Sequence, residues 1–248
     1  MILVLGGTSD SIGICNLLNT HNLDYTVSVT TAYGEELAKK CTDNVLLKKL
    51  TIDDMVSFIK ENKVTKIIDS THPYAIEVSS NAIKVSEICS IDYIRFERES
   101  LINQIHYDNK YIVEDIDEAC EIANDLGNNI FIGTGSKNLG LYVDKIKNKN
   151  LIPRVLPTSE VLISCEKLGF NADNIIAMKG PFSIEINEAT YKQYNIDLVI
   201  TKESGTAGGF LEKVNACKNL NIPVIIIKRQ SMNYPNVVEH MDKLIHVI

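Results

Sequence analysis

Arginine is scarce in this chain of 248 residues: Arg95, Arg98, Arg154 and Arg229 stand against 21 lysines. Each one invites a question that a surface lysine does not, because the planar guanidinium grips a carboxylate through two parallel bonds. A basic surplus is missing too. With 32 Asp and Glu against 25 Lys and Arg, the formal charge is −7 and the pI near 5.3. That excludes a general nucleic-acid binder and leaves room for a local basic pocket that takes a small anion. No apolar run approaches the roughly 20 residues that span a bilayer. The opening Met-Ile-Leu-Val-Leu lacks a basic flank and a small-residue cleavage site, so it reads as a buried strand of a cytoplasmic protein with no membrane partner. The six cysteines lie at least 26 residues apart, with no C-x-x-C pair and no histidine at ligand spacing. They read as small buried hydrophobes in a reducing compartment, and no metal site is expected. Internal repeats and low-complexity tracts are absent.

What is present is a repeated alternation of short β-rich runs and longer amphipathic segments, the pattern of an α/β protein with parallel sheets. Strands are expected at 2–5, 25–29, 45–47, 66–69 and 93–96, with helices at 11–19, 52–62 and 75–88. The alternation stumbles through a polar segment at 103–110 and then restarts. The second series has strands at 111–113, 130–132, 153–156, 175–178, 198–200 and 224–227, and helices at 116–126, 159–168, 184–194 and 209–220. We therefore expect two Rossmann-like parallel-sheet domains, 1–100 and 101–248, with an interdomain cleft. The tail, 236–248, either finishes the second domain or returns to the first.

Six polar or glycine-rich clusters follow directly on these strands: Gly6-Gly7-Thr8-Ser9, Thr30-Thr31, Ser70-Thr71-His72-Pro73-Tyr74, Thr134-Gly135-Ser136-Lys137, Gly180-Pro181-Phe182 and Thr201-Lys202-Glu203-Ser204-Gly205. Ligands of open parallel sheets bind outside the carboxyl ends of the strands. Each cluster taken singly is also an ordinary strand-to-helix turn rich in capping residues; six together point to a site.

The run from Leu3 to Gly13 is similar to a dinucleotide fingerprint without matching it. Gly6 permits the tight turn, Gly7 a close approach to a pyrophosphate, and Gly13 close packing of helix on sheet. Hydroxyls of Thr8, Ser9 and Ser11 suit an anion at a helix N-terminus. Strand two ends in Thr30 and Thr31 rather than in the acid that bonds a ribose in NAD sites, which favours NADPH; Glu35 and Glu36 shortly after keep NADH as the alternative. Ser70 and Thr71 follow strand four, where a nicotinamide would lie, and Pro73 is expected to open the next helix. His72 is a proton donor or a structural hydrogen-bonder. Arg95 and Arg154 sit at strand ends as candidate carboxylate anchors, whereas Arg98 is as well explained by pairing with Glu97 or Glu99. Lys137, Lys179 and Lys202 stand beside glycine-rich turns, either contacting an anion or simply solvated. Ser204 and Gly205 belong to the densest turn, a second anion cradle.

These stretches, taken in order along nearly the whole chain, resemble one family, the precorrin-6A reductases of cobalamin biosynthesis. The resemblance is carried by residues 3–8, 69–75 with Thr-His-Pro-Tyr-Ala, 93–99, 134–139, 154–157, 180–182 with Glu185 and Asn187, and 201–209. The family commonly has a Glu soon after the first glycine pair, where Asp10 stands here. The resemblance implies NADPH-dependent reduction of one carbon–carbon double bond in a ring-contracted tetrapyrrole, giving precorrin-6B or its cobalt form. It also implies that any cobalt travels with the substrate. His72, Tyr74 and Lys202 are then the candidates for the proton donor. Such a polycarboxylate substrate accounts for cations at the strand ends of an acidic protein. Two other possibilities are an NADPH-dependent reductase of another small anion and a non-catalytic dinucleotide sensor. Oligomeric state is not legible.

Overall fold

The computed structural model describes residues 1–204, 208–229 and 232–248. The chain forms two compact units: Met1–Glu99 together with Gln230–Ile248, and Ser100–Arg229. The first runs β1 (Ile2–Leu5), α1 (Ser9–Thr20), β2 (Tyr25–Val29), α2 (Ala32–Ala38), β3 (Val45–Leu47), α3 (Ile52–Asn62), β4 (Lys66–Asp69), α4 (Ile76–Cys89) and β5 (Asp92–Phe96). The second runs β6 (Lys110–Val113), α5 (Ile116–Leu126), β7 (Asn129–Ile132), α6 (Leu139–Lys145), β8 (Asn150–Val155), α7 (Ser159–Lys167), β9 (Ile176–Ala177), α8 (Ile184–Gln193), β10 (Leu198–Lys202), α9 (Phe210–Leu220) and β11 (Val224–Ile227). The chain then rejoins the first unit through β12 (Val237–Val238) and α10 (Met241–Leu244).

Each unit holds one six-stranded sheet, and every pairing in both is parallel. The orders are β3-β2-β1-β4-β5-β12 and β9-β8-β7-β10-β11-β6. Five strands of each follow the doubly wound order 3-2-1-4-5, and the sixth place is exchanged along the sequence. The strand that follows β5, namely β6, pairs with β11 of the second sheet, while β12 comes back to pair with β5. The second unit thus stops at Arg229, and the segment after it belongs with the first unit rather than with a domain running to 248.

Burial on both faces explains the apolar runs. In β1, Ile2 and Val4 pack with α1 and the tail residues Val238 and Leu244, while Leu3 and Leu5 pack with Met55 and Ile59 of α3 and Ala82 and Val85 of α4. Alternation of period two sends neighbouring residues to opposite cores. Met241 of α10 comes to 3.0 Å of where a side chain on Gly13 would begin, so this glycine makes room for the tail helix rather than for the sheet. The second unit has its own core, with Phe131, Ile152, Val199, Phe210, Val214 and Ile226. One buried carboxylate, Glu203 at 2% exposure, accepts from Leu101 N at 3.1 Å and from Arg229 N at 3.5 Å. The chain's crossings into and out of this unit are thereby held on one side chain.

Several boundaries differ from expectation. β8 begins at Asn150 rather than at Pro153, and Pro153 is tolerated inside it because β9 pairs only with Arg154 and Val155. Pro73 lies in a turn, not in a helix, and α4 starts at Ile76. The short elements α2, α6, α10 and β12 were not anticipated.

Candidate functional site

Strand order reverses between β1 and β4 in the first sheet and between β7 and β10 in the second, and the loops at such points frame a crevice. In the first unit these are the loops 6–8 and 70–75. Thr8 joins them, its Oγ1 donating to Ser70 O at 2.8 Å while accepting from Ser11 N at 3.2 Å as the cap of α1. Gly7 has φ +108, a conformation reserved for glycine, and an added Cβ would meet no atom within 4 Å, so the turn is open on that side. Ser11 is buried, and its Oγ accepts from the amides of Gly7 and Thr8, both at 3.3 Å. These bonds are long enough for an anion at the helix N-terminus to replace. Ser9 is exposed in the first turn of α1, and Asp10 beside it pairs with Arg98 at 2.5 Å, not with a ligand. Thr30 is exposed; Thr31 caps α2 by accepting from Gly34 N at 3.0 Å. Glu35 is turned along α2 onto Lys39 at 2.7 Å.

Two expected cofactor contacts are engaged elsewhere. Ser70 Oγ donates to Leu5 O, and Thr71 donates to Asp69 Oδ1 through both its amide and its hydroxyl. Beyond them His72 and Tyr74 lie ring against ring, centroids 5.4 Å apart, and His72 Nδ1 accepts from Tyr74 N at 3.3 Å. That bond assigns the imidazole proton to Nε2.

Arg95 is not a substrate anchor. It is 1% exposed, faces Asp69 in register across β4 and β5, and donates from Nη1 to Asp69 Oδ1 and from Nε to Glu97, each at 2.9 Å. Tyr93 OH donates to the other Asp69 oxygen at 2.7 Å, and the Tyr234 ring covers the guanidinium at 5.0 Å. Burial alone would lower the Arg95 pKa; Asp69 and Glu97 outweigh it and raise it. The fork is used, but to hold the 70–75 loop from below.

The second unit's reversal point carries a cavity of about 410 Å³, lined among others by Thr134, Ser136, Arg154, Phe182, Lys202 and Lys213. Among the described residues no Asp or Glu lines it. Arg154, 8% exposed, donates from Nη2 to Asn187 Oδ1 at 2.8 Å and lies 3.9 Å from the Phe182 ring centroid and 4.9 Å from that of Phe131. Its Nη1 is buried without a hydrogen-bond partner among the described residues. Burial lowers its pKa, against a smaller opposing effect of Tyr191. Lys202 is lowered too, by burial and then by repulsion from Lys137. A recess that sets Arg154 against the Phe182 ring and gathers several cations is suited to receive an anion. A cavity of about 480 Å³ at the other end of β4 and β5 is lined in part by the tail, where Lys66 reaches the Val247 and Ile248 carbonyls.

The profile of the family described as "Precorrin-6x reductase CbiJ/CobK" matches residues 1–248. The chain belongs to the precorrin-6x reductase family. A cobalt-precorrin-6A reductase of Salmonella typhimurium is 40% identical over 228 residues, 92% of this chain and 87% of that one. One from Priestia megaterium is 36% identical, covering 100% of this chain and 98% of its own. A solved "CobK precorrin-6A reductase" superposes with a TM-score of 0.81 at 19% identity, over 99% of this chain and 95% of that one, which confirms the fold.

In this precorrin-6x reductase family member the expected residues fall into two groups, one per unit. Gly6, Gly7, Thr8, Ser9, Thr30, Thr31, Ser70, Thr71, His72, Tyr74 and Arg95 belong to the first; Lys137, Arg154, Lys179, Lys202 and Ser204 belong to the second. Arg154, Lys202 and Ser204 line the cavity, whereas Lys137 and Lys179 are exposed outside its lining. Gly205 lies outside the described residues. Of the cavity's cationic residues only Lys213 is absent from the sequence-based candidates, while Asn187 holds Arg154 from outside the lining. Lys213 carried a readable signal: Phe210, Val214 and Cys217 define the buried stripe of α9, and a lysine at 213 falls on it.

Proposed function

We propose that the protein uses NADPH to reduce one carbon–carbon double bond of precorrin-6A, or of its cobalt form, to the corresponding precorrin-6B in corrin-ring synthesis. The observation that carries the reaction class is the family match over all 248 residues. It is an oxidoreductase that needs a nicotinamide cofactor. Among the described residues no helix is long and apolar enough to cross a membrane.

The first unit fits that cofactor: the open glycine turn at its reversal point leads into the capped N-terminus of α1, and the neighbouring β2 leads into the capped α2. Gly6, Gly7, Thr8 and Ser9 would hold the phosphates, and Thr30 and Thr31 the 2′-phosphate. Pairing of Glu35 with Lys39 partly offsets the repulsion that its carboxylate would exert on that phosphate, which supports NADPH over NADH. When bound, the nicotinamide supplies a hydride. The chain's own residues position the macrocycle and hold a proton for the adjacent carbon. Arg154, Lys202 and Ser204 anchor one carboxylate arm, since a cavity of about 410 Å³ is small for a whole macrocycle. Lys137 and Lys179 add to the field around it. Of the acid candidates His72, Tyr74 and Lys202, the bond to Nδ1 favours His72, because it leaves the proton on Nε2.

Anaerobic incubation with enzymatically made precorrin-6A, with and without cobalt, and with NADPH or NADH, tests the proposal. Oxidation of the nicotinamide should accompany a shift in the macrocycle spectrum, fastest with NADPH. No oxidation with either substrate overturns the activity; equal rates with NADH overturn the cofactor assignment alone.

A further inference from the structure

Lys213 lies three residues after Phe210 on the face of α9 that packs into the second core, and is 7% exposed. Its Nζ donates to Gly208 O at 2.9 Å and its end reaches the cavity. The charges facing it come from three elements. Arg154 on β8 and Lys202 on β10 repel its ammonium, while Glu212 and Cys217 on its own helix attract it. Lys137 acts on the set through Lys202. Three cationic side chains from three elements therefore converge on one recess, and one of them, Arg154, keeps a buried N–H group unpaired.

Arg154 keeps its charge whatever surrounds it, because a guanidinium does not deprotonate in proteins. A lysine has another course. Burial first, then repulsion from Arg154 and Lys202, brings the Lys213 pKa down to about 7. A carboxylate entering the recess would reverse the repulsion and favour the ammonium again.

We propose that Lys213 is a substrate-binding residue that takes up a proton as the carboxylate arm enters, so that Arg154, Lys202 and the Lys213 ammonium close together on one anion. The amine gains one proton from solvent and no covalent bond changes. This rests on the reading of the cavity as the seat of a macrocycle carboxylate. The seat carries less charge empty than filled, which lets one fold tolerate three cations with no acid among the described lining residues.

The test is calorimetric titration of precorrin-6A into the whole protein near pH 8, in two buffers of different ionisation enthalpy, for the wild type, Lys213→Met and Lys213→Arg. With a pKa of about 7, roughly nine-tenths of the amines are neutral there, so the wild type should take up close to one proton more than either variant. Wild-type affinity should fall roughly fifty-fold from pH 7 to pH 9, and this slope should vanish in both variants. Lys213→Met should bind at least tenfold more weakly at pH 7, with nicotinamide affinity and circular dichroism unchanged. Equal proton uptake in wild type and Lys213→Met, or an unchanged pH slope, overturns the inference while leaving the proposed reduction standing if turnover persists. Failure of the wild type to bind or reduce the macrocycle overturns the functional reading itself.

Discussion

Replacing each of the two buried arginines by methionine should give opposite outcomes from the same chemical change. Arg95 serves two carboxylates, Asp69 and Glu97. Its removal leaves the Asp69 carboxylate, 0% exposed, with donors from Tyr93 and Thr71 but no counter-charge. Breaking such a pair costs about 3–5 kcal/mol. Among the described residues no acid lies beside Arg154. Its favourable contacts are one charge-assisted bond to Asn187, about 1.5–3 kcal/mol, and two aromatic faces at about 0.5–2 kcal/mol each. Against these stands a desolvation cost of several kcal/mol. The sums nearly cancel, so Arg154→Met should change stability by no more than about 1.5 kcal/mol in either direction while weakening macrocycle binding at least tenfold. Urea unfolding followed by circular dichroism reads both numbers, and each variant should shift the transition of its own unit. Loss of about 3 kcal/mol or more in Arg154→Met, or of less than about 1 kcal/mol in Arg95→Met, would refute the division into structural and ligand-directed arginines.

Lys213→Met should stabilise the ligand-free protein. Holding this lysine near 7 instead of its ordinary 10.5 costs on the order of 5 kcal/mol below pH 7, less about 1 kcal/mol for the lost bond to Gly208. Between those values the unfolded chain binds more protons, so wild-type stability rises with pH and the gap to the variant should shrink from pH 7 to pH 10 in parallel urea titrations; a constant gap contradicts it. Gly7→Val should cost about 1–2 kcal/mol through its positive φ and weaken NADPH binding at least tenfold without altering macrocycle affinity, as fluorescence titration would report. Tyr234→Leu should cost about 0.5–2 kcal/mol by uncovering Arg95, and full stability in thermal unfolding would show the stacking to be idle.

The two sheets were legible because strands buried on both faces are short apolar runs, and the C-terminal clusters stood out against them. The short elements were not. β12 is two valines, and its partner β5 lies some 140 residues earlier, so no local pattern betrays it. Arg95 was misread for the same reason: Asp69 becomes its neighbour only through the register of β4 against β5. Thr31, Ser70 and Thr71 show a different obstacle, since the hydroxyls that would suit a ligand are also those that cap helices and tie loops. Arg154 stands out in the sequence by its rarity, and the fold places it in the lining of the second unit's cavity. Lys213 was overlooked among 21 lysines, although its place on an apolar stripe set it apart.

The exchange of sixth strands bears on the order in which the molecule can be completed. The second unit is one uninterrupted stretch, supplied with its own edge strand β6 and pinned at both crossings by Glu203. During synthesis it is finished before β12 exists, and throughout that interval β5 has no neighbour on its outer side. An unpaired edge beside a buried arginine is the part of a nascent chain that invites pairing with another copy. The few residues after 231 therefore act as a late seal on the first sheet. Conversely, the segment from 100 to 229 contains every strand of its own sheet, edge strand included.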